Sequence, residues 1–277
     1  MSQMLPTRSV DSVRLADVLT SSLAAIHAES NPLALPAVDS VIVLVVDGLG
    51  MHNLSARSGH ARTLLGGIKR AVLSSTYPAT TATALTTLTT GVDSGVHGLT
   101  GYSIAARQSG KVFNQLTGWG IDMPPSSWQR ATTVFEHAKA ADVRADVIAH
   151  GKFAGTGFTE AVLRGAEFCA SDRLGDRFEL AVERSRQRGV IYLYVSELDA
   201  IAHRVGWESG EWIAALEDLD AAVRDTLPRL GRRTGMLLTA DHGVIDVPAH
   251  QHLLIDERAP ELLDGVVATA GDPRALT

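Results

Sequence analysis

The chain has 277 residues, 45% hydrophobic and 20% charged, with a formal net charge of −6 and one cysteine. It is long and apolar enough for one large α/β core, and its acidic balance, without a dense basic block, excludes a nucleic-acid or anionic-membrane surface as the main partner. The lone Cys169 excludes an internal disulfide framework and a cysteine-based zinc site, which leaves histidines and carboxylates as metal ligands.

The N-terminal 31 residues lack a charged-then-apolar leader, and no apolar run reaches the roughly 20 residues of a membrane span, so a cytoplasmic protein is expected. Apolar side chains recur at helical spacing over 12–28 (Val13, Leu15, Val18, Leu19, Leu23, Ile26) and predict a peripheral helix, closed by a Pro-containing loop at 31–36. An unbroken β-branched run over 40–46 then ends in Asp47-Gly48. Such a run fits a parallel strand buried on both faces, with Asp47 at its carboxyl end, where open α/β sheets bind ligands.

A second strand is predicted from Ile68 to Leu73, leading into a threonine-rich run over 74–91. Pro78 precedes its periodic part, Thr80 or Thr81 can cap it, and Gly91 can end it. A hydroxyl in that first turn meets free backbone N–H groups and the positive end of the helix dipole, surroundings that suit phosphate and an alkoxide. A threonine at a helix start is an ordinary cap far more often than a nucleophile, so the run alone decides nothing.

Residues 91–102 form a glycine-rich loop in which His97 reads as a structural anchor. Strands are expected near 103–106 and 143–149, helices near 133–140 and 176–188, and a loop carrying Trp119, Pro124, Pro125 and Trp128 that either covers a site or packs on itself. Another strand is predicted over 189–199, ending in the acids Glu197 and Asp199, and His203 stands four residues after Asp199, so one helical turn would put both side chains on one face. After an amphipathic helix at 212–227, a third strand leads into Asp241-His242-Gly243. Three strands ending near Asp47, Asp199 and Asp241, with His203 and His242 alongside and a hydroxyl at a helix start, converge on one rim of one sheet. Oxygen and imidazole donors in that mixture suit zinc, with manganese or iron as alternatives.

This ordered set, spanning 41–243, resembles the alkaline phosphatase superfamily and, within it, the type I phosphodiesterase/nucleotide pyrophosphatase family. The resemblance rests on Asp47-Gly48, the hydroxyl ahead of Thr90-Gly91, Asp199 with His203 followed by Gly206, and Thr239-Ala240-Asp241-His242-Gly243. It implies a single alkaline-phosphatase-like α/β domain over 1–277, with a largely parallel sheet flanked by helices on both faces and a cap contributed from 103–185. Counting back the family's ten residues from Gly91 selects Thr81 as nucleophile, whereas aligning on Thr76-Tyr77-Pro78 selects Thr76; fixed helix length is the better physical criterion.

The same resemblance implies two divalent metal ions, most simply Zn2+. One would be held by Asp47, Asp241, His242 and the Thr81 oxygen, the other by Asp199, His203 and a third histidine. The family carries that histidine in a later His-Gly, which this sequence lacks after His252. His252, or His250, is therefore the expected stand-in, unless the chain is a shortened or impaired form. Tyr102 occupies the place of an asparagine that touches a non-bridging phosphate oxygen in nucleotide pyrophosphatases. The implied activity is hydrolysis of a small phosphate ester or nucleotide through a threonine phospho-enzyme. The alternatives are a phosphomonoesterase, a phosphonate hydrolase or an impaired metal-binding homologue. Nothing in the sequence sets an oligomeric state.

Overall fold

The β-branched run folds as β1 (Ser40–Val46), buried along its whole length, inside a five-stranded sheet in the computed structural model, which describes residues 13–67, 73–106, 109–273 and 275–276. Before and after β1 come α1 (Asp17–Ile26), α2 (Met51–Ala56), α3 (Arg62–Gly67), α4 (Thr81–Thr90) and α5 (Ser94–His97). The middle of the chain supplies β2 (Ser103–Ala105), β3 (Val112–Asn114), α6 (Pro125–Trp128), α7 (Val134–Ala140), β4 (Arg144–Ala149), α8 (Gly157–Val162), β5 (Glu167–Ala170) and α9 (Leu174–Arg184). The last third gives β6 (Gly189–Val195), α10 (Glu197–Val205), α11 (Gly210–Thr226), β7 (Thr234–Thr239), α12 (Ile255–Arg258), β8 (Gly271–Asp272) and β9 (Ala275–Leu276).

The main sheet has the order β5-β4-β6-β1-β7, with every neighbouring pair parallel, so all carboxyl ends reach one rim. Side chains of β1 alternate between two cores, as the period of two requires. Val41, Val43 and Val45 pack with Leu19 of α1, Leu88 of α4 and Phe135 of α7. Ile42, Leu44 and Val46 pack with Phe178 of α9 and with Trp212 and Leu216 of α11. Helices therefore cover both faces, which is why β1 can be apolar at every position from Val41 to Val46.

A smaller antiparallel sheet, β3-β2-β8-β9, joins the middle of the chain to its last described residues. Of the 103–185 stretch expected to form a cap, β4 and β5 belong to the main sheet. Trp119 and Trp128 pack beside Leu99, Ala161 and Val162 in a satellite core, and the Trp119 indole donates to the Gln115 carbonyl at 2.8 Å. The strand predicted from Ile68 lies, over 68–72, outside the described residues. Among the described residues, no helix is long and apolar enough to cross a membrane.

Candidate active site

Helix α4 starts as its sequence demands. Thr80 is the cap: its backbone is extended and its Oγ1 accepts from the Thr83 N–H. Gly91 ends the helix at φ +70°, where a Cβ would sit 2.5 Å from Thr20 Cγ2, so the left-handed cap and the packing of α1 both require glycine. Thr81 is thereby left at the first helical position with its hydroxyl free of capping duty. Its Oγ1 lies 3.1 Å from His242 Nε2 and 3.5 Å from Asp47 Oδ1. Thr76, the competing threonine, donates instead to the Pro78 carbonyl at 2.9 Å.

Asp47 follows β1 directly, and Asp241 lies just past β7. Asp241 Oδ1 accepts from the Gly48 N–H at 3.1 Å and the His242 N–H at 2.8 Å, which ties the two strand ends together. The loop after Asp241 is held from the other side by Asn53 of α2, whose amide donates to the Val244 carbonyl at 2.9 Å and accepts from the Val244 N–H at 3.2 Å. Asp199 belongs to the first turn of α10 rather than to the end of β6, because β6 stops at Val195 and the helix begins at Glu197. It still reaches the rim: a Cβ on Gly48 would lie 3.0 Å from Asp199 Oδ1. Potential ligand atoms of Asp47, Asp199 and His242 all fall within 4.8 Å of one another. His203 Nε2 is 3.4 Å from Asp199 Oδ2, the i,i+4 arrangement expected from the spacing.

The remaining expected residues lie on exposed parts of the chain. Tyr102 is half exposed in front of β2 and makes no hydrogen bond to the cluster. His252 is exposed, with Nε2 3.0 Å from the Val247 carbonyl, and His250 is exposed in the same short turn. Neither joins Asp199 and His203 in a group of three candidate ligands.

The electrostatics of the cluster favour a cation. Burial pushes the Asp47 carboxyl well above the usual carboxylate range, and Asp241 and Asp199 push it further. Burial raises the Asp241 carboxyl to about 6, against hydrogen bonds that pull it down. Asp199 Oδ1 and Asp241 Oδ2 are buried and accept no hydrogen bond, an arrangement that is costly for anionic oxygens unless a cation faces them. His242 Nδ1 is 3.1 Å from the Gly243 carbonyl; a carbonyl only accepts, so Nδ1 carries the proton and Nε2 turns its lone pair to the cluster. Nε2 is also 3.4 Å from Asp47 Oδ1 and 3.5 Å from Asp241 Oδ2. Lone pairs of three groups aimed at one volume fit a divalent ion with mixed oxygen and nitrogen donors.

The sequence pattern described as type I phosphodiesterase/nucleotide pyrophosphatase matches residues 41–274, a span that holds every residue of the cluster. The chain belongs to that family. Among solved structures it is similar to murine ectonucleotide pyrophosphatase/phosphodiesterase 5, with a TM-score of 0.60 and 17% identity over 78% of this chain and 60% of that one. An inactive form of the same murine protein, with a threonine replaced by alanine and AMP bound, gives 0.57 and 18% at the same coverage. The likeness is one of fold, and the chain spans 60% of the length of those structures. No curated protein matches it.

Family membership agrees with the alkaline-phosphatase-like sheet, but several residues that build the rim had no motif to mark them. Tyr194, inside β6, donates its hydroxyl to Asp47 Oδ2. Ser75 donates to the Asp241 carbonyl. Arg177 of α9, wholly buried, donates to the Tyr194 carbonyl at 2.9 Å and pairs with Glu197 at the start of α10. Each is a single polar residue whose partner is distant in sequence, and nothing local marks it.

Proposed function

We propose that the chain is a metal-dependent hydrolase of phosphate esters, a phosphodiesterase or nucleotide pyrophosphatase that uses Thr81 as its nucleophile. The observation that carries this reading is the Thr81 hydroxyl, released from capping and held against His242 and Asp47 at the start of α4. The AMP bound to the inactive threonine variant of the murine relative supports a nucleotide as substrate and a threonine as the essential group.

Asp47, Asp199 and His242, whose ligand atoms lie together, are suited to hold one ion, with Asp241 beside His242, and Asp199 with His203 marks the place of a second; the donor set favours zinc. When bound, such ions neutralise developing oxyanions and supply an activated water. The residues of the chain do the rest. The first turn of α4 offers N–H groups and a positive dipole end to the Thr81 alkoxide and to the phosphate. Thr81 Oγ1 gives up its proton to solvent and attacks phosphorus in line; a phosphorus–Oγ1 bond forms, the bond to the leaving oxygen breaks, that oxygen departs with a proton from solvent, and the ester is carried on Thr81. Water then attacks the same phosphorus from the vacated side, the Oγ1 bond breaks, and Thr81 regains its proton. Asp241, anchored by two backbone N–H groups, and His242, anchored by the Gly243 carbonyl, keep this geometry unchanged between the steps.

The test is turnover of a chromogenic phosphodiester against the matching monoester, beside metal analysis of the same preparation. Bound zinc with faster diester cleavage is the expected result. A monoester preference would favour a phosphatase on the same site. An inert, metal-free chain would favour an impaired homologue, a reading to which the exposed His203 lends weight.

A further inference from the structure

Tyr194 is buried at the floor of the cluster, and the displacement chemistry leaves it without a task. It pairs with Val45 across the β1–β6 ladder. Val45 and Asp47 stand two residues apart, which brings the Asp47 carboxylate over the face that bears the Tyr194 ring. The phenol hydroxyl donates to Asp47 Oδ2. The other oxygen, Oδ1, is the one 3.5 Å from Thr81 Oγ1 and 3.4 Å from His242 Nε2. The two oxygens of one carboxylate are thus divided between two tasks.

The donor is held firmly. Its ring stacks on Tyr192 with centroids 6.1 Å apart and an interplanar angle of 22°, and meets the Phe153 ring edge-on at 5.6 Å. Its backbone carbonyl is fixed by Arg177 at 2.9 Å. A phenol held by two neighbouring rings on an anchored backbone is suited to fix a carboxylate.

We propose that Tyr194 is a positioning residue for the phosphoryl-transfer site: by occupying Asp47 Oδ2 it reserves Oδ1 for the metal and for Thr81. The inference rests on the phosphodiesterase reading above for its catalytic half, and on the Asp47 geometry alone for its metal-binding half. Groups that orient a metal ligand from behind typically account for about 10–100-fold in metal affinity or activity.

The experiment compares Tyr194→Phe with Tyr192→Phe in the full chain. Tyr192 is equally buried and stacked on Tyr194 but makes no hydrogen bond to Asp47, so its variant reports the cost of losing a buried hydroxyl as such. Zinc affinity is measured by competition with a chromophoric chelator, and kcat and KM with a chromogenic phosphodiester. The expected result for Tyr194→Phe is a loss of about tenfold or more in the tighter zinc affinity and a fall in kcat with little change in KM. Tyr192→Phe should match the wild type in both. Wild-type zinc affinity in Tyr194→Phe, or equal losses in the two variants, would overturn the proposal. If the wild type binds zinc but cleaves no ester while Tyr194→Phe still loses affinity, the functional reading fails and the positioning role stands. A wild-type chain that takes up no zinc would overturn both.

Discussion

Asp47 and Asp241 sit on strand ends, almost wholly out of solvent and tied to backbone N–H groups or to Tyr194, whereas the side chain of His203, on the helical side of the same cluster, is 79% exposed and pairs with Asp199. The reason is architectural. A strand end such as that of β1 is held on both sides by parallel neighbours in register, so the residue after it has little freedom. Helix α10 presents His203 from its solvent face, where rotamer entropy opposes any fixed position. One side of the rim is therefore preorganised, and the other is less so. Preorganised donors bind and stabilise charge without reorganising at each turnover.

The largest effect expected from this contrast is at Thr81. Thr81→Ala should abolish ester turnover yet leave zinc uptake by the carboxylates and imidazoles largely intact, as measured by stopped assays and metal analysis. An active Thr81→Ala chain would shift attention to Thr76 or Thr80. The next effect is a difference between the two sides: zinc titration should show two unequal classes, the tighter lost in Asp241→Ala and the looser in His203→Ala. His252→Ala should leave the stoichiometry unchanged, since Nε2 of that residue faces the Val247 carbonyl and not the cluster. Two equally tight sites would remove the contrast.

The pH dependence of the metal-free chain sharpens the comparison further. Asp241, ordinarily near 3.8, is raised to about 6 by burial. The folded state then binds more protons than the unfolded one between those values, so stability falls as pH rises from about 4 to about 6. Asp47 is raised in the same direction and extends the loss upward. Asp241→Asn keeps an acceptor for Gly48 and His242 and should be more stable than the metal-free wild type at neutral pH, by thermal melts. Zinc should cancel that advantage.

His97 works in the opposite sense. Burial lowers it from 6.5 to about 4, and its ring is held neutral between Thr87, 2.9 Å from Nε2, and the Leu99 N–H, which donates to Nδ1 at 3.1 Å. Its contribution is complete above about pH 6.5 and is lost as pH falls towards about 4, because only the unfolded state takes up the proton readily. His97→Gln should flatten that acid limb. The smallest effect is the cap itself: Thr80→Ala should cost about 1 kcal/mol of stability with activity kept, while Thr81→Ala should cost less than that.

Much of this site was legible because its chemistry lies on strongly patterned elements. The continuous β-branched run before Asp47 and the similar runs ahead of Asp199 and Asp241 announced parallel strands sharing a rim, and the count back from Gly91 picked the threonine that the structure brings to His242. What was illegible is non-local. The small sheet pairs Ser103 with Gly271, and its strands β8 and β9 are too short to show a period. Asp199 was expected at a strand end because nothing in Val195-Ser196-Glu197 marks where extended backbone gives way to helix. The hydroxyl of Tyr194 carries no pattern at all, since an aromatic residue in a strand is ordinary core until its partner is known.

The central claim is that Thr81 Oγ1 forms the bond to phosphorus, and acid quenching of the zinc-loaded chain during turnover of a phosphodiester tests it most directly. Peptide mapping by mass spectrometry should then find the phosphoryl ester on Thr81, with no adduct in Thr81→Ala. An adduct on Thr76 or Thr80, or full turnover by the Thr81→Ala chain, would contradict the account.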